Sequence, residues 1–146
     1  MERFTEANRT VWHSHCVLDT EQIGREIAAT IDGSTVIAMF GGMGMGKTAI
    51  TRGIVSGLGI ADEVSSPTFA LVTVYGLERT VAHYDMYRIT SWEDLYSTGF
   101  FEYIDAGAVV LIEWSENIEN ALPADAWRLT MERLSENERR ITLERN

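Results

Sequence analysis

The sequence predicts an α/β fold in which buried strands alternate with helices. A strand over Thr35–Phe40 leads through a glycine-rich loop into a helix that begins at Ala49. The run Val109–Ile112 has the pattern of a central strand, because four consecutive aliphatic residues precede the carboxylate of Glu113. Two pairs of shorter strands joined by turns complete the pattern. With 146 residues, we expect one domain, residues 1–146, with its own hydrophobic core.

The first predicted strand is Arg9–Leu18, which alternates between apolar and polar residues. The side predicted to be buried carries Trp12, Cys16 and Leu18. His13 and His15 lie on the other side and could form half of a metal site. No cysteine or further histidine completes such a site, so a solvent-facing strand edge is the favoured interpretation.

A helix is predicted next, with Asp19 or Thr20 as its N-cap and Asp32-Gly33 at its end. Its buried face carries Ile23, Ile27 and Ile31. The helix after the glycine-rich loop is predicted to end at Gly57-Leu58-Gly59.

Strands and helices are also predicted on both sides of Val109–Ile112. Residues 71–75 and 81–87 predict a hairpin, and Ser91-x-x-Asp94 predicts the start of a helix that breaks at Gly99. Residues 100–104 add one more helical turn. After Leu122-Pro123, two strands joined by a turn at 135–138 are predicted. Their inward residues are Trp127, Leu129, Met131, Ile141 and Leu143.

The glycine-rich loop Gly41–Thr48 matches G-x-x-x-x-G-K-[ST], the pattern of a phosphate-binding loop. Its glycines allow the backbone to approach phosphate oxygens closely. Lys47, the single lysine beside eleven arginines, could reach the outer phosphates, and Thr48 offers a hydroxyl to Mg²⁺. The alternative, a glycine-rich turn with a surface lysine, is disfavoured by the strand before the loop and the helix after it.

Two acidic residues follow strands, at the edge where α/β sheets bind ligands. Glu113 is predicted to hold Mg²⁺ directly or through water, although it could be an ordinary strand-end carboxylate. Asp85 could orient a water molecule or hold a metal-bound water, or it could pair with Arg88. From the residues alone, His83 is predicted to be a core histidine and Trp114 a packing residue.

The composition excludes some classes of function. A net charge of −10 argues against a surface that grips nucleic acid by itself, and it permits a protein partner with a basic face. The single cysteine, Cys16, fits a reducing compartment. The N-terminus carries no apolar signal segment and no run approaches membrane-spanning length, so we expect a cytoplasmic protein.

Taken together, the motifs resemble the bacterial TsaE family, also called YjeE, the ATPase component of the machinery that makes threonylcarbamoyladenosine in tRNA. The matching motifs are, in order, the phosphate loop 41–48, Ser66-Pro67-Thr68-Phe69, His83-x-Asp85-x-Tyr87-Arg88, Glu113-Trp114 and Leu122-Pro123. The phosphate loop is shared by many ATPases, whereas this order and spacing of the other motifs is specific to the family.

The resemblance implies a P-loop NTPase-like mixed sheet, with a parallel core extended by antiparallel strands and flanked by helices. It implies ATP and Mg²⁺ as cofactors, Asp85, Lys47 and Glu113 as catalytic residues, and Thr48 and Glu113 as metal ligands. The implied nucleotide-binding residues are Gly41, Gly42, Met43, Gly44, Met45, Gly46, Lys47, Thr48, Ala49, Thr68 and Trp114. Gly42-Met43 and Met45 depart from the Asp-Leu and Ala common in the family, but the glycines, lysine and hydroxyl that bind phosphate are intact.

The implied partner is the TsaB–TsaD protein complex, with tRNA contacted only indirectly and with weak ATPase activity in the protein alone. A small-molecule kinase is the alternative, disfavoured because no arginine-rich lid or acceptor domain is visible. A GTPase is disfavoured because the sequence contains neither N-K-x-D, the motif that binds guanine, nor D-x-x-G. A nucleotide-binding scaffold without hydrolysis stays open.

Overall fold

A computed structural model describes residues 1–41, 46–64 and 71–145. Eight strands of this part form one sheet, in the order β1-β2-β8-β7-β3-β6-β5-β4. The strands are β1 Glu2–Glu6, β2 Arg9–Ser14, β3 Thr35–Phe40, β4 Val72–Tyr75, β5 Val81–Asp85, β6 Val109–Glu113, β7 Trp127–Arg133 and β8 Arg139–Glu144. The helices are α1 Val17–Ala28, α2 Lys47–Gly57, α3 Trp92–Tyr96 and α4 Phe100–Asp105, and a 3₁₀ helix spans Ser115–Ala121.

The centre of the sheet is parallel and its outer parts are antiparallel. Strand β3 pairs in parallel with both β6 and β7, and β5 pairs in parallel with β6. The pairs β4–β5, β7–β8, β2–β8 and β1–β2 are antiparallel. The predicted mixed sheet is therefore confirmed. Because β3, β5 and β6 run in the same direction, their carboxyl ends meet at one edge, where ligands of α/β sheets bind.

The parallel strands are buried on both faces, which explains their continuous aliphatic runs. In β6, Val109 and Leu111 belong to one hydrophobic cluster, together with residues of α1 and α2. Val110 and Ile112 belong to a second cluster, together with residues of α3 and α4. Helices thus cover both faces of the sheet.

Helices α1 and α2 approach each other closely through glycines. A Cβ atom on Gly53 would lie 2.1 Å from the carbonyl oxygen of Glu21, and one on Gly24 would lie 2.4 Å from that of Ile50. Both distances are far below van der Waals contact, so any side chain at these positions would separate the helices. This contact holds α2, and with it the end of the phosphate loop, against the rest of the molecule.

The N-terminal part differs from the sequence-based expectation. Strand β1, every residue of which is exposed, was not predicted because it has no hydrophobic alternation. Strand β2 ends at Ser14, and Cys16 is the N-cap of α1 in place of Asp19 or Thr20. Trp12 is buried as predicted, whereas Leu18 is exposed and lies in α1.

Hydrogen bonds explain the earlier start of α1. The Asp19 carboxylate accepts from the backbone N–H of His15 at 3.0 Å, and the Thr20 and Ser14 hydroxyls lie 2.7 Å apart. Both side chains therefore tie the first turn of α1 to the end of β2 instead of capping a later helix. The helix also ends at Ala28, before the predicted Asp32-Gly33, although Ile31 is buried as expected.

The C-terminal elements follow the prediction more closely. Ser91 caps α3 by accepting from the backbone N–H of Asp94 at 3.1 Å. Gly99, with a φ of +78°, separates α3 from α4. The predicted hairpin and the two C-terminal strands are confirmed, except that β5 ends at Asp85 and not at Tyr87. In the described ranges, none of the helices has the length and apolar character that crossing a bilayer requires.

Candidate functional site

The two ends of the predicted phosphate loop lie between β3 and α2. Gly41 follows β3 with a φ of +134°, and Gly46 precedes α2 with a φ of +94°. Both angles favour glycine, which explains the residue type at these positions. The prediction that Gly42, Met43, Gly44 and Met45 bind phosphate lies outside the described residues.

Helix α2 presents its N-terminus to this loop. Its N-cap is Gly46, which has no side chain to accept from the first backbone N–H groups. The first intrahelical hydrogen bond in this turn runs from the N–H of Ile50 to the carbonyl of Gly46. The backbone N–H groups of Lys47, Thr48 and Ala49 therefore precede the hydrogen-bond ladder of the helix, the usual arrangement for binding an anion. Thr48 is half-buried and Ala49 is buried.

Lys47 reaches back across the base of the loop. Its Nζ donates a hydrogen bond to the carbonyl oxygen of Gly41 at 2.8 Å, and its side chain is 7% exposed. The same Nζ lies 5.4 Å from the centroid of the Trp114 ring, within the range of a cation–π contact. The ammonium is thus held between the end of β3 and the residue that follows β6.

Asp85 and Glu113 end neighbouring parallel strands. They are partners in the β5–β6 register, and the backbone N–H of Met86 donates to the Glu113 carbonyl at 3.0 Å. The Asp85 carboxylate accepts from the backbone N–H of Tyr87 at 2.9 Å. Arg88 is exposed, and none of the ion pairs recorded among the described residues joins it to Asp85. The structure therefore brings the two carboxylates together at the ligand-binding edge.

His83 is the site residue that sequence reasoning missed. It is fully buried, as predicted for a core histidine, but its Nε2 lies 2.7 Å from Oε2 of Glu113. Among described residues its Nδ1 has no hydrogen-bond partner. Because a carboxylate oxygen can only accept, Nε2 is the donor of the bond to Glu113. The available signal was an imidazole between the buried residues Ala82 and Tyr84 of β5.

Trp114 adopts a backbone conformation that is rare for a bulky residue. Its φ is +60° and its ψ is 42°, in the left-handed region, at a cost of about 1–3 kcal/mol. Its ring lies 4.9 Å from that of Tyr87, and the amide of Asn117 donates to the carbonyls of Met86 and Tyr87. These contacts hold the segments after β5 and β6 together. Trp114 therefore does more than pack, since it also covers the ammonium of Lys47.

Other polar groups near this edge have structural roles. Burial raises the pKa of the Tyr84 phenol well above its ordinary value, and the phenol donates to the carbonyl of Thr98 at 3.0 Å. Tyr84 is therefore a neutral structural donor. Arg52, on α2, pairs with Glu21 of α1 at 2.7 Å, as expected for a residue directed away from the phosphate loop.

The geometry places two groups of candidate site residues at one edge of the sheet. Lys47 and Trp114 form the first, and Asp85, Glu113 and His83 form the second. Thr48 and Glu113, the two predicted Mg²⁺ ligands, are both half-buried, and Oε2 of Glu113 is engaged by His83. The predicted nucleotide contact of Thr68 lies outside the described residues.

Comparison with known proteins identifies the family. The family model described as "Threonylcarbamoyl adenosine biosynthesis protein TsaE" matches residues 14–141. The chain is 33% identical over 130 residues to the tRNA threonylcarbamoyladenosine biosynthesis protein TsaE of Treponema pallidum (strain Nichols), covering 89% of this chain and 96% of that protein. It is 35% identical over 134 residues to the protein of that name from Bacillus subtilis (strain 168), covering 90% and 82%.

A solved structure is similar over nearly the whole chain. The crystal structure of Bacillus subtilis YdiB superposes with a TM-score of 0.80 at 28% sequence identity, covering 97% of this chain and 88% of that one. The superposition supports the eight-stranded mixed sheet described above. From the family match and the extent of these similarities, the chain belongs to the TsaE family.

Proposed function

We propose that this protein is an ATPase that binds Mg-ATP and supports the TsaB–TsaD complex in forming threonylcarbamoyladenosine in tRNA. The observation that carries the proposal is the position of Lys47. Its ammonium lies at the end of β3, beside the N-terminus of α2, and contacts the Trp114 ring at the end of β6. A nucleoside triphosphate bound there would contact the backbone N–H groups at the start of α2, the ammonium of Lys47 and the carboxylate of Glu113.

Each residue in this arrangement has a proposed role. When a nucleotide binds, the ammonium of Lys47 would give up its hydrogen bond to the Gly41 carbonyl and donate to the outer phosphates. This exchange costs little, because a phosphate oxygen takes the place of the carbonyl oxygen as acceptor. Thr48 and Glu113 would hold Mg²⁺, which neutralises charge on the phosphates when it is bound. Asp85, one strand away from Glu113, would orient the attacking water.

His83 would act through Glu113 as a positioning residue. Its hydrogen bond occupies Oε2 of Glu113 and leaves Oε1 available. A carboxylate that ligates a metal ion is commonly oriented by such a hydrogen bond from a neighbouring group. Full burial of the ring fixes the direction of the bond.

The proposed activity depends on the partner complex. Arg52 is paired with Glu21 of α1, which argues against Arg52 as the charge that stabilises the transition state. Because the protein carries a net charge of −10, contact with tRNA is proposed to be indirect, through the partner proteins. Since the reaction needs ATP and tRNA together, the proposed location is the cytoplasm.

The proposal is tested by measuring ATP binding and steady-state hydrolysis with and without purified TsaB–TsaD complex. We expect Mg-ATP to bind to the isolated protein, slow hydrolysis alone and faster hydrolysis with the complex. Product analysis separates hydrolysis from a kinase reaction, because a kinase forms ADP only when an acceptor molecule is phosphorylated. Failure to bind Mg-ATP, or ADP formation that requires a small-molecule acceptor, would overturn the proposal.

A further inference from the structure

A second cluster of metal-ligating side chains lies on the outer, antiparallel part of the sheet. It contains two imidazoles and two carboxylates, contributed by Glu2, His13, His15 and Glu138. Strands β8 and β7 separate β2, which carries His13, from β3, which leads into the phosphate loop. The cluster is therefore distinct from the candidate nucleotide site.

The backbone explains why these side chains meet. His13 and His15 are two residues apart in an extended segment, so their side chains project from the same side. Glu2 of β1 is the register partner of His13. Glu138 lies in the turn between β7 and β8, next to Arg139, the register partner of Ser14. Strand β1 and the end of β2 thus bring three ligand atoms within 4.8 Å of one another, and the β7–β8 turn places Glu138 beside both imidazoles.

The contacts within the cluster are short. Nε2 of His15 lies 2.7 Å from Oε2 of Glu2, and Nε2 of His13 lies 2.8 Å from Oε1 of Glu138. The same Glu138 oxygen lies 3.4 Å from Nδ1 of His15. The two imidazole rings are stacked, with centroids 4.3 Å apart and an interplanar angle of 27°. One ligand atom from each of Glu2, His13 and His15 lies within 4.8 Å of the others.

We propose that Glu2, His13 and His15 bind one Zn²⁺ ion. Two imidazole nitrogens and a carboxylate oxygen are ligands that Zn²⁺ accepts at about 2.0–2.2 Å, which places tetrahedral ligand atoms roughly 3.3 Å apart. Glu138 supplies a second carboxylate beside both rings, as the fourth ligand. The side chains need only small rotations to reach this geometry, because all four are partly or fully exposed.

The donor set decides which metal ion is bound. Mg²⁺ prefers oxygen ligands in an octahedral arrangement, whereas imidazole favours later divalent ions such as Zn²⁺, Ni²⁺ and Cu²⁺. The carboxylates add negative charge that neutralises a divalent cation in a partly exposed site. A bound ion would connect β1, the end of β2 and the β7–β8 turn, and would stabilise the edge strand that the sequence pattern did not predict.

Two other groups in the molecule could bind the same metal ion. Cys16 is exposed and follows His15 directly, so its thiol is a possible alternative ligand. Like Glu138, it lies outside the group of atoms that converge within 4.8 Å, but Glu138 contacts both imidazoles, at 2.8 and 3.4 Å. Glu113, at the nucleotide site, is the other carboxylate next to a histidine, and its imidazole partner is fully buried.

The test is calorimetric titration of the full chain with ZnCl₂, without nucleotide. We expect one Zn²⁺ per chain, and a loss of affinity of at least about 10-fold in Glu2→Gln and in the double variant His13→Gln/His15→Gln. Glu6→Gln, on the same exposed strand but outside the cluster, is the matched control and should bind like wild type. Cys16→Ser and Glu113→Gln should also retain the affinity, and excess Mg²⁺ should not compete.

A second measurement covers the possibility that the double variant folds poorly. Zn²⁺ should raise the Tm of wild type and of Glu6→Gln by the same amount, and should raise the Tm of the single variant Glu2→Gln by less at the same Zn²⁺ concentration. No stoichiometric binding by wild type would overturn the proposal. So would unchanged affinity in both Glu2→Gln and the double histidine variant, or loss of binding in Cys16→Ser or Glu113→Gln alone.

Discussion

The imidazole of His83 donates from Nε2 to Oε2 of Glu113 across 2.7 Å, and the ring is fully buried. If Glu113 holds Mg²⁺, as proposed, this bond fixes the carboxylate in the orientation that the ion needs. We expect His83→Leu to raise the Mg²⁺ concentration required for ATP binding by about 10–100-fold. His83→Gln keeps an amide donor and should restore part of the effect. The measurement is ATP affinity as a function of Mg²⁺ concentration.

A purely structural role for His83 predicts a different result. Loss of packing would lower the Tm of His83→Leu and would weaken nucleotide binding with and without Mg²⁺ to the same extent. Glu113→Gln serves as the reference variant, because it changes the proposed ligand itself. An unchanged Mg²⁺ dependence in His83→Leu, together with a changed dependence in Glu113→Gln, would remove His83 from the metal site.

Asp85 should affect hydrolysis more than binding. Its carboxylate accepts one backbone hydrogen bond from Tyr87 and lies on the strand next to Glu113. Asp85→Asn keeps the size of the side chain and an oxygen that can accept that bond, so the fold and ATP affinity should be retained. We expect hydrolysis with the partner complex to fall by about 10²–10⁴-fold, the usual contribution of a positioned base. Normal turnover in the variant would exclude Asp85 from catalysis.

We expect the affinity for nucleotide to depend strongly on Lys47. Its Nζ is held by the Gly41 carbonyl and the Trp114 ring, so the ammonium is already positioned before a nucleotide binds. Lys47→Ala should therefore lose most ATP affinity in calorimetry, and Lys47→Arg should not restore it, because the planar guanidinium does not fit the place of a compact ammonium. The wild-type protein should prefer ATP to GTP. Equal ATP affinity in wild type and Lys47→Ala would contradict the assignment of the loop.

The sequence predicted the parts of the fold that follow from local pattern. The buried run of β6 and the Ser91 cap of α3 are each encoded within a few neighbouring residues, and both were found at the predicted places. Strand β1 was missed because both of its faces are exposed. The start of α1 was misplaced because the Asp19 and Thr20 side chains bind back to His15 and Ser14, a choice that alternation alone does not reveal.

In the candidate site, too, residues marked by a local pattern could be predicted, and contacts between distant segments could not. Lys47 and Glu113 could be predicted because a motif and a strand end mark them. The partnership of His83 with Glu113, 30 positions apart, depends on the parallel pairing of β5 and β6, which no local pattern specifies. The convergence of Glu138 with His13 also depends on pairing between distant strands, β2 and β8.

Gly53 should be essential for the packing of α2 on α1. In an open helix Gly→Ala would stabilise by about 1 kcal/mol. Here the new Cβ would lie 2.1 Å from the Glu21 carbonyl oxygen, so we expect Gly53→Ala to destabilise by about 1–3 kcal/mol or more. Ser56→Ala, at an exposed position of the same helix, is the control and should change stability little. Denaturant unfolding of both variants gives the comparison, and equal stabilities would show that the helices can separate without cost.

The proposed dependence of ATP hydrolysis on a partner has a structural basis. In the proposed site, the N-terminus of α2 and Lys47 would bind the phosphates in the ground state. Arg52 is engaged with Glu21, which leaves the transition-state charge to another source. The absence of an arginine finger leaves related enzymes about 10³–10⁵-fold short of their full rate. We therefore expect TsaB–TsaD to raise the hydrolysis rate by at least about 10-fold, measured at saturating ATP.

Thermodynamic linkage adds a second expectation, which concerns the affinities of the protein for ATP and for the partner complex. If the complex binds the ATP-bound protein more tightly than the free one, ATP must bind more tightly to the assembled protein by the same factor. Affinity for TsaB–TsaD should therefore be measured with a non-hydrolysable ATP analogue, with ADP and without nucleotide, and should be highest with the analogue. Because the protein carries a net charge of −10, a partner with a basic face should also bind more weakly as salt increases. Lys47→Ala is the control, since it should abolish the nucleotide effect on partner affinity while leaving the salt effect. Fast hydrolysis by the protein alone would contradict the proposed dependence on the partner complex. So would an affinity for TsaB–TsaD that is the same with and without nucleotide.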